Sequence, residues 1–424
     1  MSTGLTPDLH DPAVLARLFA PAAGQKAIGL AVSGGPDSLA LMLLAQRWAA
    51  TLDHPPALYV YSLDHGLRPE AAAEVAMVLE AARGLGLAAR GLAWTGAKPE
   101  TGLAEAARQA RYRLIGAAMQ ADGATMLLAA HHRADQAETV LMRLAHGSGI
   151  EGLKAMTPFS TVEGIAIFRP LLDVEPASLA ALVEQAGLVA AQDPSNHDPA
   201  YERVRWRKLL PVLAAEGLDS AALARFATRM AEADLALAQM AEAAFEELVT
   251  LDGFGAAGLP VAALRALSPA IGRRVLGRVL NIVGGRQKPR ALGQVERLYD
   301  QIAENGLPRA ATLLGAVIRL KDETLTVSRE PGRALPPEAP LPPGSALIWD
   351  ERFRIANMSD AGDLIVGATD FMPRHRLENV LGFKVTTPAE AIRTAPLVRD
   401  AEGGVLALGG WSFDTRVQVE LLID

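Results

Sequence analysis

Cysteine is missing from all 424 residues. Without it the chain forms no disulfide, no thiolate-ligated zinc site and no iron–sulfur cluster. Also missing is any apolar run long enough to cross a bilayer, and residues 1–25 lack the charged-then-apolar layout of a secretion signal. The expectation is a soluble cytoplasmic protein. A surplus of positive charge is missing too. The formal net charge is −7, so any affinity for nucleic acid must come from local basic patches.

What is present is ample apolar material, half of all residues, in a chain long enough for two or three domains. Strand and helix signals alternate at first. Apolar runs at 27–32, 57–63, 87–94 and 125–130 read as strands, and helices are expected over 70–82, 101–120 and 134–145. Alternation of this kind predicts an α/β fold, a doubly wound parallel sheet with right-handed crossovers. Beyond Pro170 the pattern changes. A helix is expected over 176–186, a polar loop over 192–201 and a basic helix from about Arg203. Residues 219–304 read as wholly helical, strands return at 311–320 and 324–328, and the proline-rich stretch 331–343 reads as a linker. The expected division is a catalytic domain over 1–217, a mainly helical domain over 218–332 and a small strand-rich domain over 333–424.

In a doubly wound sheet, ligands bind beyond the carboxyl ends of the strands. Three polar clusters fall there. The first is Ser33-Gly34-Gly35-Pro36-Asp37-Ser38. Paired glycines let backbone approach a ligand, proline suits a first helical turn, and amides at a helix start attract phosphate. Asp37 could hold Mg²⁺ and Ser38 adds a hydroxyl. The second is Asp64-His65-Gly66-Leu67-Arg68-Pro69-Glu70. There His65 and Arg68 could reach phosphate or base, and Asp64 could accept from a ribose or an amine. The third is His131-His132-Arg133-Ala134-Asp135-Gln136-Ala137-Glu138-Thr139. Asp135 and Glu138, three apart on one helix face, could hold Mg²⁺ or bind an ammonium and take its proton. Adjacent histidines diverge and no further ligands are evident, so zinc is not expected. Between the last two clusters, Glu105, Arg108, Arg111 and Tyr112 recur at helical spacing.

The first cluster lacks the lysine of a Walker loop and resembles the loop of the PP-loop ATP pyrophosphatases. That resemblance implies ATP cleaved between the α and β phosphates, and an AMP-activated oxygen displaced by a nucleophile. With no thiol, the sulfur-transferring branch is disfavoured. The ordered set of Ser33–Ser38, Asp64–Glu70, Glu105–Tyr112, Asp135–Thr139, Gly147–Leu153, Asp193–Asn196 and Tyr201–Arg207 resembles the lysidine synthase family within that group. One position departs: Ala134 stands where the family usually carries an acidic residue.

The resemblance implies ATP with Mg²⁺ as cofactors, an isoleucine tRNA with a CAU anticodon and free L-lysine as partners, and leaves a homodimer possible. It implies that Ser33, Gly34, Gly35, Pro36, Asp37, Ser38, Asp64 and His65 bind ATP, with Asp37 beside the metal. It implies that Arg111, rather than Arg108, offsets α-phosphate charge, and that Asp135 and Glu138 orient lysine. The tRNA is expected on Arg203, Arg205, Trp206, Arg207 and Lys208, with Trp206 stacking on a base. Arg273, Arg274, Arg278, Arg286, Lys288 and Arg290 form a second basic patch. Taken alone, each patch is more often a solvated face than a phosphate track, and a tRNA-sized ligand reverses that for the first. Two other functions fit the loop: another amidating synthetase fed by free ammonia, or a non-catalytic tRNA-binding relative.

Overall fold

A computed structural model describes residues 8–99, 101–191, 198–285, 292–307, 309–332, 335–370 and 372–423. The chain forms two compact units, Met1–Asp234 and Leu235–Asp424.

The first unit opens with α1 (Pro12–Phe19), capped where the Asp11 carboxylate accepts from the Ala13 amide at 2.8 Å. There follow β1 (Ala27–Ala31), α2 (Pro36–Ala49), β2 (Ala57–Asp64), α3 (Ala71–Gly84), β3 (Ala88–Ala93) and α4 (Leu103–Asp122). Next come β4 (Met126–Leu128), α5 (Arg133–Ala145), α6 (Ile150–Leu153), β5 (Phe159–Val162), β6 (Ile165–Phe168), α7 (Pro176–Gln185), α8 (Glu202–Ala215) and the part of α9 (Ser220–Leu248) up to Asp234. The strands stand in the order β3-β2-β1-β4-β6-β5, parallel except for β5, which closes the edge as a hairpin with β6. The doubly wound parallel sheet expected from the alternation is therefore present, and only the 159–168 hairpin adds to it.

Both faces of the sheet are covered. On one, α2 is buried almost all round, from Leu39 to Trp48, and packs with β1, α1 and α7; Phe19 stacks on Trp48 with centroids 5.1 Å apart. On the other, Tyr112, Ile115 and Met119 of α4 cover Tyr61, Leu127 and Ile167. Strands buried on both faces need unbroken apolar runs, which is why 27–31 and 126–128 read so plainly.

The second unit contains a five-stranded antiparallel sheet in the order 250–251, 257–260, 324–329, 316–321, 311–313, with helices at Val261–Ala266, Pro269–Gly284 and Leu292–Asn305. Residues 219–304 are thus not wholly helical. The break comes at Asp252, whose carboxylate accepts from the amides of Phe254 and Ala256, each at 2.9 Å, and the following strand pairs with 324–327. Eight further strands and two short helices follow from residue 339 among the described residues. The first, Ala339–Leu341, lies inside the stretch expected as a linker and pairs with 364–366.

Candidate active site

The sheet order places a switch point between β1 and β4. The chain runs outward from β1 through β2 to β3, then returns to lay β4 on the other side of β1. Crossovers leave in opposite directions there, opening a crevice at the carboxyl ends of the two strands. The loop after β1 is Val32–Gly35, and the segment after β4 is Ala129–His132. Two of the three polar clusters therefore border one crevice.

In the first loop Gly34 has φ +91°, a conformation an L side chain rarely adopts. A Cβ there would stand 3.3–3.4 Å from Met77, Val78 and Ala191. Ser38 Oγ donates to the Gly35 carbonyl at 2.9 Å and accepts from the Ser33 amide at 3.2 Å. The Ser38 hydroxyl thus ties the loop together. Among the described residues no acceptor takes the amides of Gly34, Gly35, Asp37 and Ser38. Unsatisfied amides at the start of a 14-residue helix, with its dipole behind them, form a cradle for an anion.

The crevice side of α5 is built on reciprocal capping. His132 Nδ1 accepts from the Asp135 amide at 3.3 Å, and Asp135 Oδ2 accepts from the His132 amide at 3.1 Å. The other ring nitrogen, His132 Nε2, lies 3.4 Å from Asp37 Oδ2 and 3.6 Å from Asp135 Oδ2. Burial pulls the His132 pKa down, but Asp37, Asp135 and Glu138 outweigh it and the net shift is upward. His132 thus bridges the loop carboxylate to the helix carboxylate. Sequence reading gave it no role beyond doubting zinc, although a polar residue just before an apolar-periodic run is a helix-cap signal.

Asp135 and Glu138 stand in different surroundings. The Glu138 side chain is wholly buried, receiving Arg207 Nε at 2.7 Å on Oε1, and Arg207 Nη2 and Arg203 Nε at 3.3 Å on Oε2. Arg203 also donates to Thr139 Oγ1 at 3.3 Å. The Glu138 bond raises the Arg207 pKa against the opposing effect of burial. Two of the arginines expected on tRNA phosphate are thus engaged with a carboxylate expected on lysine. Trp206 is half-buried against a cluster that includes Val140, Leu141, Leu223 and Ala227, and its Nε1 donates to Glu202 at 3.2 Å. Arg205 is exposed and donates to the carbonyls of Pro199 and Ala200, while Lys208 is exposed.

Beyond β2, Asp64 Oδ1 accepts from the Gly66 amide at 2.7 Å. Arg111 Nη2 lies 3.2 Å from His65 Nε2. Burial first, then Arg111, lower the His65 pKa, so its neutral ring accepts the guanidinium hydrogen bond. Arg108 lies over the Tyr112 ring at 5.1 Å. Sequence reading also passed over Arg169, at the end of β6. It is 7% exposed, and Nε donates to His131 Nδ1 at 3.2 Å while Nη1 donates to the Thr157 carbonyl at 3.0 Å.

The second basic patch is reduced by pairing. Arg273 donates to Asp300 at 2.8 Å, and Arg278 pairs with Glu242. Arg286, Lys288, Arg290 and the Asp193–Asn196 motif lie outside the described residues.

With regard to metal, Asp37 keeps 34% of its side-chain surface exposed beside the amide cradle. Mg²⁺ commonly takes one or two carboxylates together with substrate phosphates and water, so the donor set fits. No cluster of three His, Asp or Glu able to hold a metal occurs among the described residues, and no helix there is long and apolar enough to cross a membrane.

Comparison with known proteins gives a consistent result. Residues 8–213 match the PP-loop domain family. The chain is 47% identical over 327 residues to a tRNA(Ile)-lysidine synthase of Rhodopseudomonas palustris, covering 75% of this chain and 94% of that one. A tRNA(Ile)-lysidine synthase of a Bradyrhizobium species is 44% identical over 357 residues, 78% of this chain and 99% of that one. Among solved structures, a U34-tRNA thiolase from Methanococcus maripaludis overlays 52% of this chain and 78% of its own at 14% identity, with a TM-score of 0.45.

Proposed function

We propose, for a chain that belongs to the tRNA(Ile)-lysidine synthase family, that it uses ATP to ligate the ε-amine of free L-lysine to C2 of the wobble cytidine of a CAU-anticodon isoleucine tRNA. The observation that carries this reading is the cradle of four unsatisfied amides at the β1–β4 crevice, facing a carboxylate-capped helix.

The amides of Gly34, Gly35, Asp37 and Ser38 hold the nucleotide phosphates, and Asp37 holds Mg²⁺ when it is bound. The metal would add positive charge beside the departing pyrophosphate. The C2 oxygen of cytidine attacks the α-phosphorus and pyrophosphate leaves. Arg111 offsets the charge that builds on the α-phosphoryl oxygens, with His65 holding the guanidinium. The lysine amine then attacks C2, AMP leaves, and one proton passes from the amine to Asp135, whose Oδ1 is not used in the cap. Division into two steps installs a good leaving group before the difficult substitution.

Glu138 acts differently from its sequence-based role. It fixes Arg203 and Arg207 in place and does not itself bind lysine. The exposed Arg205 and Lys208, together with the outer edges of Arg203 and Arg207, meet tRNA phosphate. We assign the chemistry to 1–217 and the body of the tRNA to 218–332 and 333–424. Incubation of purified chain with ATP, labelled lysine and the tRNA transcript, followed by nucleoside mass spectrometry, tests the reading. Lysidine, AMP and pyrophosphate in equal amounts support it; a nucleoside that stays cytidine refutes it.

A further inference from the structure

Arg169 is a buried cation with no carboxylate in ion-pair range among the described residues. Its two acceptors among the described residues are neutral, the Thr157 carbonyl and His131 Nδ1. A guanidinium carries no lone pair to share and always donates. His131 Nδ1 must therefore be the bare nitrogen, and the ring proton of the neutral imidazole sits on Nε2. The one hydrogen bond of the ring among the described residues is at Nδ1, and Nε2 is not one of the buried side-chain atoms left without a partner, so it stays open to a ligand. His131 lies in the segment after β4, next to the His132 cap, whose Nε2 is 3.4 Å from Asp37 Oδ2. The charges that act on it are those of Asp135, Arg169, Arg203 and Arg108, three of them positive.

We infer that His131 donates from Nε2 to a phosphoryl oxygen of the substrate, and that Arg169 is the positioning residue that fixes the required tautomer. The surplus of guanidinium charge around the ring favours an anionic acceptor over a neutral base edge. Burial makes the arrangement stiff: Arg169 cannot turn away without stranding its charge. The phosphoryl oxygen belongs either to ATP or to the tRNA backbone. This inference rests on the lysidine-forming reading for its substrate, but the tautomer does not.

Two measurements test it. Nitrogen-15 spectra of histidine-labelled wild-type chain, with His131→Gln to assign the signal among the eight histidines, report which ring nitrogen is protonated. The expected result is Nε2–H, with Arg169→Met giving a mixture of tautomers; Nδ1–H in the wild type overturns the inference. Steady-state kinetics then compare His131→Gln, whose amide reaches the Nε2 position, with His131→Asn, whose amide reaches only Nδ1. A lost hydrogen bond to a charged oxygen corresponds to roughly ten- to a hundredfold. His131→Asn is expected to raise one KM by that factor while His131→Gln stays within about threefold. A raised KM for ATP identifies the nucleotide as the source, and a raised KM for tRNA identifies the backbone. Unchanged values for both overturn the inference. A wild-type chain that makes no lysidine would instead sink the functional reading and leave the tautomer result standing.

Discussion

Arg207 closes over Glu138 from the neighbouring helix, its Nε 2.7 Å from Oε1 of a carboxylate with no exposed surface. A buried carboxylate stripped of its partner, or a partner stripped of its carboxylate, is costly by about 3–5 kcal/mol. The arginines here are nearly half exposed, so solvent recovers part of that cost and the lower end applies.

Glu138→Ala is therefore expected to lose both turnover and stability. At about 2–4 °C per kcal/mol for a domain of this size, its Tm should fall by roughly 6–12 °C. Circular dichroism melts check this. An unchanged Tm with abolished activity would return Glu138 to direct contact with lysine.

Asp37→Asn is expected to behave in the opposite way. Its side chain is one-third exposed and its partner among the described residues is His132 Nε2, so folding should persist within about 1 kcal/mol. ATP–pyrophosphate exchange on the tRNA transcript should vanish. Exchange at the wild-type rate would remove Asp37 from the metal and phosphate site.

Gly34→Ala probes the cradle itself. At φ +91° a Cβ is strained by roughly 1–2 kcal/mol and meets Met77, Val78 and Ala191 at 3.3–3.4 Å. The rise in Tm that ATP gives the wild-type chain should be abolished in this variant. A full ATP-induced rise would show that the phosphates bind elsewhere.

His131 supplies a pH dependence. Burial, ahead of its neighbours Arg169, Arg203 and Arg108, pushes its pKa from 6.5 down to about 4. Between those values the unfolded chain takes up a proton that the folded one does not, so stability falls as pH drops through that window. His131→Gln removes this component. Its Tm should decline less than that of the wild type between pH 6.5 and pH 4, and parallel declines would show that His131 titrates normally in the fold.

Salt dependence distinguishes the exposed cations from the engaged ones. Each neutralised phosphate contributes a slope near −0.7 to −0.9 in log affinity against log salt. Lys208→Ala should reduce the slope of tRNA binding by about one such increment, while Trp206→Leu leaves it unchanged. A slope insensitive to Lys208 would move the tRNA off this face of α8.

Much of the sheet was legible because double burial forces unbroken apolar runs, as at Ala27–Ala31 and Met126–Leu128. The loop at Ser33–Ser38 was legible because its turn demands glycine and its helix start favours proline. What stayed hidden were relations between distant residues. Nothing near Glu138 in sequence announces Arg203 and Arg207, which arrive from α8 more than sixty positions later. Arg169 was hidden for the same reason, since its partner His131 lies 38 residues earlier. Short strands such as 250–251 were masked by the alanine-rich helices on either side, because two residues are too few to show a period of two.

The strand order has a consequence for biogenesis. β1 pairs with β2 on one flank as soon as residue 64 is available, but its other flank stays bare until β4 emerges some sixty residues later. On the ribosome, the phosphate loop is therefore made long before the wall opposite it exists. A nucleotide that contacts both walls of the crevice would favour docking of the fourth strand by mass action.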